Sequence, residues 1–332
     1  MTRCQASYAS MCAVLVCCGL AASWDLRAQE RADAPVRPVE DAISQTIGPS
    51  TTVPAQATEP QDTGQFTGEF GHTPPGLEPI WVYAIKNNGD LLWYRKDSSA
   101  SAWQGPKKVG NGWENFTAVI PAGGPNFYAL TAAGILRWYR HDGFNDGSPT
   151  WKGPRDVGRG WRFSKIFSGG DGIVYAIRSD GALIWYRHDG FAYGGGIETW
   201  QAPKVVGSGW GDFIDVFSMG KGIIYAVTKE GRLLWYRHDG FATGATAWTS
   251  ARTVGSDWQR FRERIPVGGG VILSVAGDGR LFWYKHLAFE GKAPTGPVGS
   301  QNWEGPTEIG VGWQHFQRVV GLLPTSAAPV LR

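Results

Sequence analysis

The feature that most constrains this chain is a set of tryptophan motifs that occurs five times at a nearly constant spacing. The triplet Trp-Tyr-Arg or Trp-Tyr-Lys begins at Trp93, Trp138, Trp185, Trp235 and Trp283. A second tryptophan, which usually opens W-x-G-P, follows at Trp103, Trp151, Trp200, Trp248 and Trp303. A third closes V-G-x-G-W or a variant, at Trp113, Trp161, Trp210, Trp258 and Trp313. Nearly all of the 17 tryptophans belong to these motifs, so the repeat unit decides the fold.

Each repeat unit predicts four short β-strands and no long helix. In the second unit, apolar and β-branched runs predict strands at 116–120, 127–131, 136–140 and 152–157. The turn between the second and third strands contains a glycine in every unit, at Gly89, Gly134, Gly181, Gly231 and Gly279. A glycine between two apolar runs is typical of a hairpin turn, so each unit is expected to form one antiparallel sheet.

Units of about 50 residues with four strands each predict a β-propeller. One blade cannot bury both faces of its sheet, whereas blades in a ring bury each sheet against its two neighbours. The chain begins its first unit at 80–83, already in the second strand, and ends with 316–323, the first strand of a unit. We therefore predict an all-β, five-bladed propeller in which the C-terminal strand completes the N-terminal blade. This pairing closes the ring and removes an open sheet edge.

The segment before the repeats begins with the pattern of a secretory signal. Residues 1–28 contain Arg3, an apolar run at 11–23 and then polar residues. The run is too short to span a bilayer, so no membrane span is expected. All four cysteines lie in this segment, at Cys4, Cys12, Cys17 and Cys18. A mature chain without cysteine has no disulfide and no thiolate nucleophile. These features predict a secreted or periplasmic protein.

Residues 29–79, rich in Pro, Thr, Gln, Ala and Glu, predict a disordered linker before a propeller at 80–324 and a tail at 325–332. The linker has two arginines and eight acidic residues, a net charge of −6, whereas 81–332 has 28 basic and 20 acidic residues, a net charge of +8. A solvated tether beside an ordinary surface accounts for these opposite signs. The modest formal charge of +3 argues against a protein that binds nucleic acid by neutralising phosphates.

Over residues 80–323, the repeat resembles that of the tachylectin-type five-bladed propeller lectins. Its motifs in order are W-x-G-P, V-G-x-G-W, Phe, Tyr-Ala and G-x-L-x-W-Y-R. One V-G-x-G-W motif is weak evidence, whereas five in register are strong evidence for the fold. The resemblance implies repeated sites between adjacent blades that bind N-acetylated amino sugars without catalysis. We expect carbohydrate as the partner, no cofactor, no metal and a monomer.

The candidate site residues lie where a unit leaves its third strand. Three units carry the tetrapeptide His-Asp-Gly-Phe, with the polar pairs His141 and Asp142, His188 and Asp189, and His238 and Asp239. Unit one has Lys96-Asp97 and unit five has His286-Leu287 at this place. A carboxylate accepts hydrogen bonds from sugar hydroxyls and an imidazole donates or accepts one. The alternative is that His-Asp caps its loop and bonds to backbone.

An aromatic face that covers the apolar side of a pyranose is the other part of a sugar site. Of the three tryptophan series, the one that opens W-x-G-P follows a variable loop and is the most plausible ligand platform: Trp103, Trp151, Trp200, Trp248 and Trp303. The other two series are expected in the core, because tryptophan buries a large apolar area.

These residues predict a secreted, multivalent carbohydrate-binding protein that recognises amino sugars or wall and surface glycans. Because only three units carry the complete His-Asp-Gly-Phe, we expect three strong sites and two weaker or absent ones. An enzyme is not expected, because the polar groups recur with the repeat instead of forming one asymmetric group. Two alternatives stay open: a protein-binding propeller scaffold, and a glycan-active hydrolase built from unrepeated residues at 290–302.

Overall fold

The computed structural model describes residues 79–97, 102–291 and 302–325, which form five four-stranded antiparallel sheets arranged as the blades of a propeller. Blade 1 contains β1 (Ile80–Lys86), β2 (Leu91–Lys96) and β3 (Gln104–Gly110). Blade 2 contains β4 (Phe116–Gly123), β5 (Asn126–Thr131), β6 (Leu136–His141) and β7 (Trp151–Gly158). Blade 3 contains β8 (Lys165–Gly170), β9 (Ile173–Ile177), β10 (Leu183–Arg187) and β11 (Lys204–Gly207).

Blade 4 contains β12 (Asp215–Gly220), β13 (Ile223–Val227), β14 (Leu233–His238) and β15 (Trp248–Gly255). Blade 5 contains β16 (Phe261–Gly268), β17 (Val271–Ala276), β18 (Leu281–His286) and β19 (Trp303–Gly310). The last strand, β20 (Phe316–Gly321), pairs with β1 and becomes the innermost strand of blade 1. Single 3₁₀ turns lie between strands at Trp113–Asn115, Ile197–Thr199, Trp210–Asp212, Trp258–Arg260 and Trp313–His315.

The predicted fold class is confirmed, including the closure of the ring by the two ends of the repeat region. Tyr83 of β1 lies opposite Val320 of β20, and Val82 lies opposite Gly321. The four strands predicted for the second unit correspond to β4, β5, β6 and β7. The predicted signal at 1–28 and linker at 29–78 lie outside the described residues, as does the tail beyond Thr325.

The second strands of blades 3 and 4 are buried along their whole length because each of these blades packs between two others. All five residues of β9 and all five of β13 are buried. This explains why these strands are apolar at every position instead of alternating with polar residues. The hairpin turn before β6 needs glycine, because Gly134 has a φ of 79° and donates its N–H to the Thr131 carbonyl oxygen at 2.9 Å.

The hydrophobic core is divided among the interfaces between blades. One cluster, for example, combines Tyr83 and Trp93 of blade 1 with Phe127 and Ala129 of blade 2. The innermost strands of all five blades surround a central cavity of about 130 Å³. The loop that follows each third strand lies where two blades meet, as the contacts of Phe144 and Asn145 with blade 1 show. The candidate site residues of these loops therefore lie at the junctions between blades.

Candidate functional site between the blades

The third strand of each blade divides its contacts between two neighbours. Successive side chains in a strand point to opposite faces of the sheet. In blade 2, Trp138 and Arg140 contact blade 3, whereas Tyr139 and His141 contact blade 1. The sequence Trp-Tyr-Arg-His therefore gives blades 2, 3 and 4 a tryptophan and an arginine for the next blade and a histidine for the preceding one.

The histidines join neighbouring blades through a buried contact with a tyrosine. His141 Nδ1 lies 2.7 Å from the Tyr83 hydroxyl of blade 1, and His141 Nε2 lies 2.7 Å from the Ser148 carbonyl oxygen. Because a carbonyl oxygen only accepts, Nε2 carries the proton and Nδ1 accepts from the tyrosine. The contact recurs at 2.7 Å, 2.8 Å and 2.7 Å in the pairs His188–Tyr128, His238–Tyr175 and His286–Tyr225.

Burial keeps these imidazoles neutral. His141, His188 and His238 have no exposed surface, and His286 is 2% exposed. Loss of hydration lowers the pKa of His188 to about 4 and that of His286 to about 4, and it lowers the pKa of His141 and His238 as well. Because His141, His188 and His238 have no exposed surface, they cannot contact a ligand directly. They stabilise the loop that follows them and the interface between the blades.

The W-x-G-P tryptophans lie against these histidines, because the two residues are directly opposite across the third and fourth strands. The Trp151 and His141 rings stack at 4.3 Å, and Trp113 of blade 1 covers the Trp151 ring at 5.4 Å from another side. Trp151 Nε1 donates to the Val109 carbonyl oxygen at 2.7 Å. Trp200, Trp248 and Trp303 repeat this arrangement against the preceding blade. Trp103 is 8% exposed and packs 6.5 Å from Trp313.

The loops after His141, His188 and His238 are each clamped onto the preceding blade by three side chains, and Trp235 and Arg237 hold the loop after His286. In the loop of blade 2, the carbonyl oxygens of Phe144, Asn145 and Asp146 accept in turn from three donors of blade 1. These are Trp93 Nε1 at 2.8 Å, Arg95 at 2.7 Å and Lys107 at 2.6 Å. The loop of blade 4 is held in the same way by Trp185, Arg187 and Lys204. Consecutive carbonyls held in this way fix the loop in one position.

The aspartates form an exposed polar group beside each clamp. Arg187 Nε lies 2.8 Å from one carboxylate oxygen of Asp189, and the Gln201 amide donates to the other at 3.0 Å. The same group recurs in blades 1, 2 and 4. Each consists of an aspartate, the arginine two residues before it and the residue that follows the W-x-G-P tryptophan. The members are Arg95, Asp97 and Gln104; Arg140, Asp142 and Lys152; and Arg237, Asp239 and Thr249. We call each of these four groups an Arg–Asp platform.

The Arg–Asp platforms are accessible to ligand, unlike the histidines. The side chains of Asp97, Asp142, Asp189 and Asp239 are between 25% and 51% exposed. Each platform lies at the junction with the next blade, because its arginine also donates to that blade's loop. In each platform the carboxylate, held by a guanidinium, can accept hydrogen bonds from a ligand, and the neighbouring amide, ammonium or hydroxyl group can donate one.

The structure thus brings each predicted histidine together with the predicted tryptophan of its own blade, but as stacked rings within the interface. The predicted aspartates face outward. Sequence reasoning did not pair each aspartate with the arginine two residues earlier, and it missed the polar residue after each W-x-G-P tryptophan. It also passed over Asp97, because unit one has no histidine. The constant spacing of these residues from the tryptophans is the signal that could have found them.

Some kinds of site are not seen in the parts of the chain that the structure describes. No group of three or more His, Cys, Asp or Glu side chains there is placed to hold a metal ion. Likewise, no helix within the described ranges has the length and apolar character needed to cross a bilayer.

Comparison with solved structures finds similar chains at low identity. A symmetrical protein studied for its de novo evolutionary emergence is 19% identical, with 74% of this chain and all of that chain covered and a TM-score of 0.46. The SapL1 lectin in complex with α-methyl fucoside is 17% identical, with 65% and 77% covered and a TM-score of 0.34. A mutant of AofleA from Arthrobotrys oligospora is 14% identical, with 75% and 73% covered and a TM-score of 0.37.

These likenesses are too weak to carry the assignment, which rests on a match to a family. The chain matches no curated protein. The family model named Tachylectin matches residues 150–322, which is more than half of the chain and extends from the end of blade 2 to the closing strand β20. Together with the closed ring of five four-stranded blades, this match shows that the chain belongs to the tachylectin family.

Proposed function

We propose that this protein is a non-catalytic lectin that binds carbohydrate at the Arg–Asp platforms. The observation that carries the proposal is the repetition of one exposed polar arrangement at four junctions between blades. Membership of the tachylectin family supports the same function. A repeated group of this kind suits several equivalent binding events, whereas catalysis needs one asymmetric group with tuned environments.

The chemistry of the platform fits a sugar with neighbouring hydroxyls. In blade 3, the Asp189 carboxylate accepts from ligand hydroxyls while Arg187 and Gln201 hold it in place. The buried His188 and Trp200 support the loop from behind, so that the platform is formed before ligand arrives. The predicted site residues therefore divide into aspartates that contact sugar and rings that position them.

Each site is expected to bind weakly, because a shallow platform buries little area and sugar hydroxyls must give up water. Repetition offsets this weakness on a surface with many glycans, where linked sites raise avidity by roughly 10²–10⁴. We propose an N-acetylated amino sugar or a wall glycan as the ligand class, on the basis of the family. A monomer exported to the periplasm or the medium would meet such glycans.

The test is calorimetric titration of the folded protein with N-acetylglucosamine, before and after removal of the aspartates. The triple variant Asp142→Ala, Asp189→Ala and Asp239→Ala is expected to keep only the blade 1 site, and a further Asp97→Ala change should remove it. Asp180 and Asp278 provide matched controls, because each pairs with an arginine at a hairpin turn away from the loops. Undiminished binding by the folded quadruple variant would contradict the proposal.

A further inference from the structure

The four Arg–Asp platforms are not equivalent, and one of them differs from the others in two ways. The platform of blade 2 lies at the junction with blade 3, and a single loop residue there, Tyr193, is an exposed aromatic. We propose that this junction binds an acidic amino sugar, with Tyr193 stacking on the sugar ring and Lys152 pairing with the sugar's carboxylate. This inference rests on the proposed function and names a ligand for one of its sites.

Tyr193 is held beside the blade 2 platform by its two neighbours in the chain. The Ala192 carbonyl oxygen accepts from Arg140 at 3.4 Å, and the Gly194 carbonyl oxygen accepts from Arg155 at 3.1 Å. Gly194 lies against the face of Trp138, where an added Cβ would come within 2.5 Å of the ring. The backbone on both sides of Tyr193 is therefore fixed against blade 2.

The Tyr193 side chain has no role in the core, because it is 62% exposed, the highest exposure of any large hydrophobic residue in the described ranges. The matching loops have Asp146 in blade 2 and Thr243 in blade 4, so an aromatic is not required to form the loop. A tyrosine offers a rigid face to an apolar ring surface at a low cost in conformational entropy. A pyranose that hydrogen-bonds to Asp142 would place its apolar face within reach of this ring.

The charge of the blade 2 platform is also unusual. Arg140, Lys152 and Arg155 provide three cations beside the single carboxylate of Asp142. In blade 3, glutamine takes the place of Lys152, so two cations face one carboxylate. In blades 1 and 4, the adjoining loop adds an acidic residue, Asp146 or Glu290, which balances the cations. Of the four platforms, that of blade 2 therefore has the largest excess of positive charge, two cations more than carboxylates against one more in blade 3, and it favours an anionic ligand most strongly.

Lys152 is the cation best placed to contact a ligand. Its side chain is 63% exposed, and its ammonium lies 3.6 Å from Asp142, longer than a hydrogen bond. Arg140 and Arg155, by contrast, already donate to carbonyl oxygens of the blade 3 loop. A ligand carboxylate can therefore draw the Lys152 ammonium away from Asp142 without breaking the clamp that holds the loop.

The experiment compares N-acetylmuramic acid with N-acetylglucosamine, because the two sugars share a ring and differ by a lactyl carboxylate. We expect one class of site in the wild-type protein to bind N-acetylmuramic acid about tenfold more tightly than N-acetylglucosamine at low salt. Lys152→Gln should reduce this preference to about twofold or less. Tyr193→Thr should weaken the binding of both sugars at that site by about fivefold to tenfold.

Both substitutions introduce residues that the repeat already uses at these positions, since Gln201 and Thr243 occupy them in the following blades. The converse change, Gln201→Lys, should create a second site that prefers the acidic sugar. Equal binding of the two sugars by the wild-type protein would overturn the inference, as would a preference that survives both Lys152→Gln and Tyr193→Thr. Binding of neither sugar by the wild-type protein would instead overturn the proposed function.

Discussion

Four of the five junctions between blades share one design, and the fifth, where blade 5 meets blade 1, has another. At the first four, a tyrosine on the second strand bonds to a buried histidine of the next blade. At the fifth, both partners are different. Leu273 lies opposite Trp283 as Tyr83 lies opposite Trp93, and Lys96 replaces the histidine. Neither member of the tyrosine–histidine pair is therefore present at this junction.

The outer part of this closing junction also lacks an Arg–Asp platform. Blade 5 has Leu287 where the other blades have aspartate, and this leucine is 47% exposed. Trp283 Nε1 is buried without a hydrogen-bond partner among the described residues, whereas the four equivalent tryptophans donate to a loop carbonyl. The four junctions with a tyrosine–histidine contact therefore each have an Arg–Asp platform, and the closing junction has neither.

The closing junction is instead held at the innermost strands. The Arg262 guanidinium of blade 5 donates to the carbonyl oxygens of Gln314 and Phe316, the second at 2.8 Å. The Val319 N–H of β20 donates to Glu263 Oε2 at 2.7 Å. Inner-strand guanidinium groups also connect blades 4 and 5, through Arg264, and blades 1 and 2, through Arg318. The closing junction differs because it has such contacts without the histidine contact and without an Arg–Asp platform.

Removal of β20 should destabilise the protein more than any of the substitutions below, because it opens the closing junction. A chain that ends at His315 loses the innermost strand of blade 1 and the partners of Arg262 and Glu263. We expect loss of cooperative unfolding, because the destabilisation should exceed the roughly 5–15 kcal/mol that holds a domain together. A chain that ends at Thr325 is the control and should unfold as the full chain does. Equal thermal unfolding of the two truncated chains would show that closure contributes little.

Acid should weaken the four repeated junctions. The buried His188 and His286 have a pKa of about 4 in the folded protein and about 6.5 when unfolded. Their contribution is therefore present above pH 6.5 and is lost as the pH falls toward 4. We expect urea unfolding at pH 4.5 to give a free energy several kcal/mol below that at pH 7, about 2 kcal/mol for each of these two histidines. The exposed His315→Gln variant should show the same dependence on pH, and a flat profile would contradict the assignment.

A single repeated contact should be costly to remove. His188→Ala leaves the Tyr128 hydroxyl and the Gly195 carbonyl oxygen without their partner and opens a cavity beside Trp200. We expect a loss of about 3–5 kcal/mol in the free energy of unfolding. A double-mutant cycle with Tyr128→Phe should show strong coupling, since the two residues share one hydrogen bond. A loss below about 1 kcal/mol would mean that the contact does not fasten the blades.

The closing junction should respond to pH in the opposite direction and by less. Burial raises the pKa of Glu263 to about 7 in the folded protein, above its usual 4.5. A raised carboxyl pKa gives stability that is present below pH 4.5 and is lost as the pH rises through 7. Glu263→Gln keeps an oxygen for the Val319 N–H and removes the charge, so it should be more stable than wild type at pH 8 by about 1–3 kcal/mol. The exposed Glu308→Gln should change little; a destabilised Glu263→Gln would contradict this account.

The sequence predicts what repeats better than what occurs once. The strands, the burial of two of the three tryptophan series and the closure by β20 follow from motifs in register, and the structure confirms them. The direction in which His141 points follows from the alternation after Trp138, whereas from the sequence His and Asp are treated as one polar pair that either contacts sugar or caps its loop. The residue after each W-x-G-P tryptophan varies among Gln, Lys and Thr, which hides its constant role. Arg262 and Glu263 have no repeated counterpart, so no pattern marks them.

The central claim is that sugar sites follow the four Arg–Asp platforms and are absent from the closing junction. Native mass spectrometry of the protein titrated with N-acetylglucosamine counts the bound sugars directly. The account predicts a maximum of four sugars per chain, decreasing to one in the triple variant Asp142→Ala, Asp189→Ala and Asp239→Ala. Five sugars per chain, or an unchanged number in that variant, would contradict it.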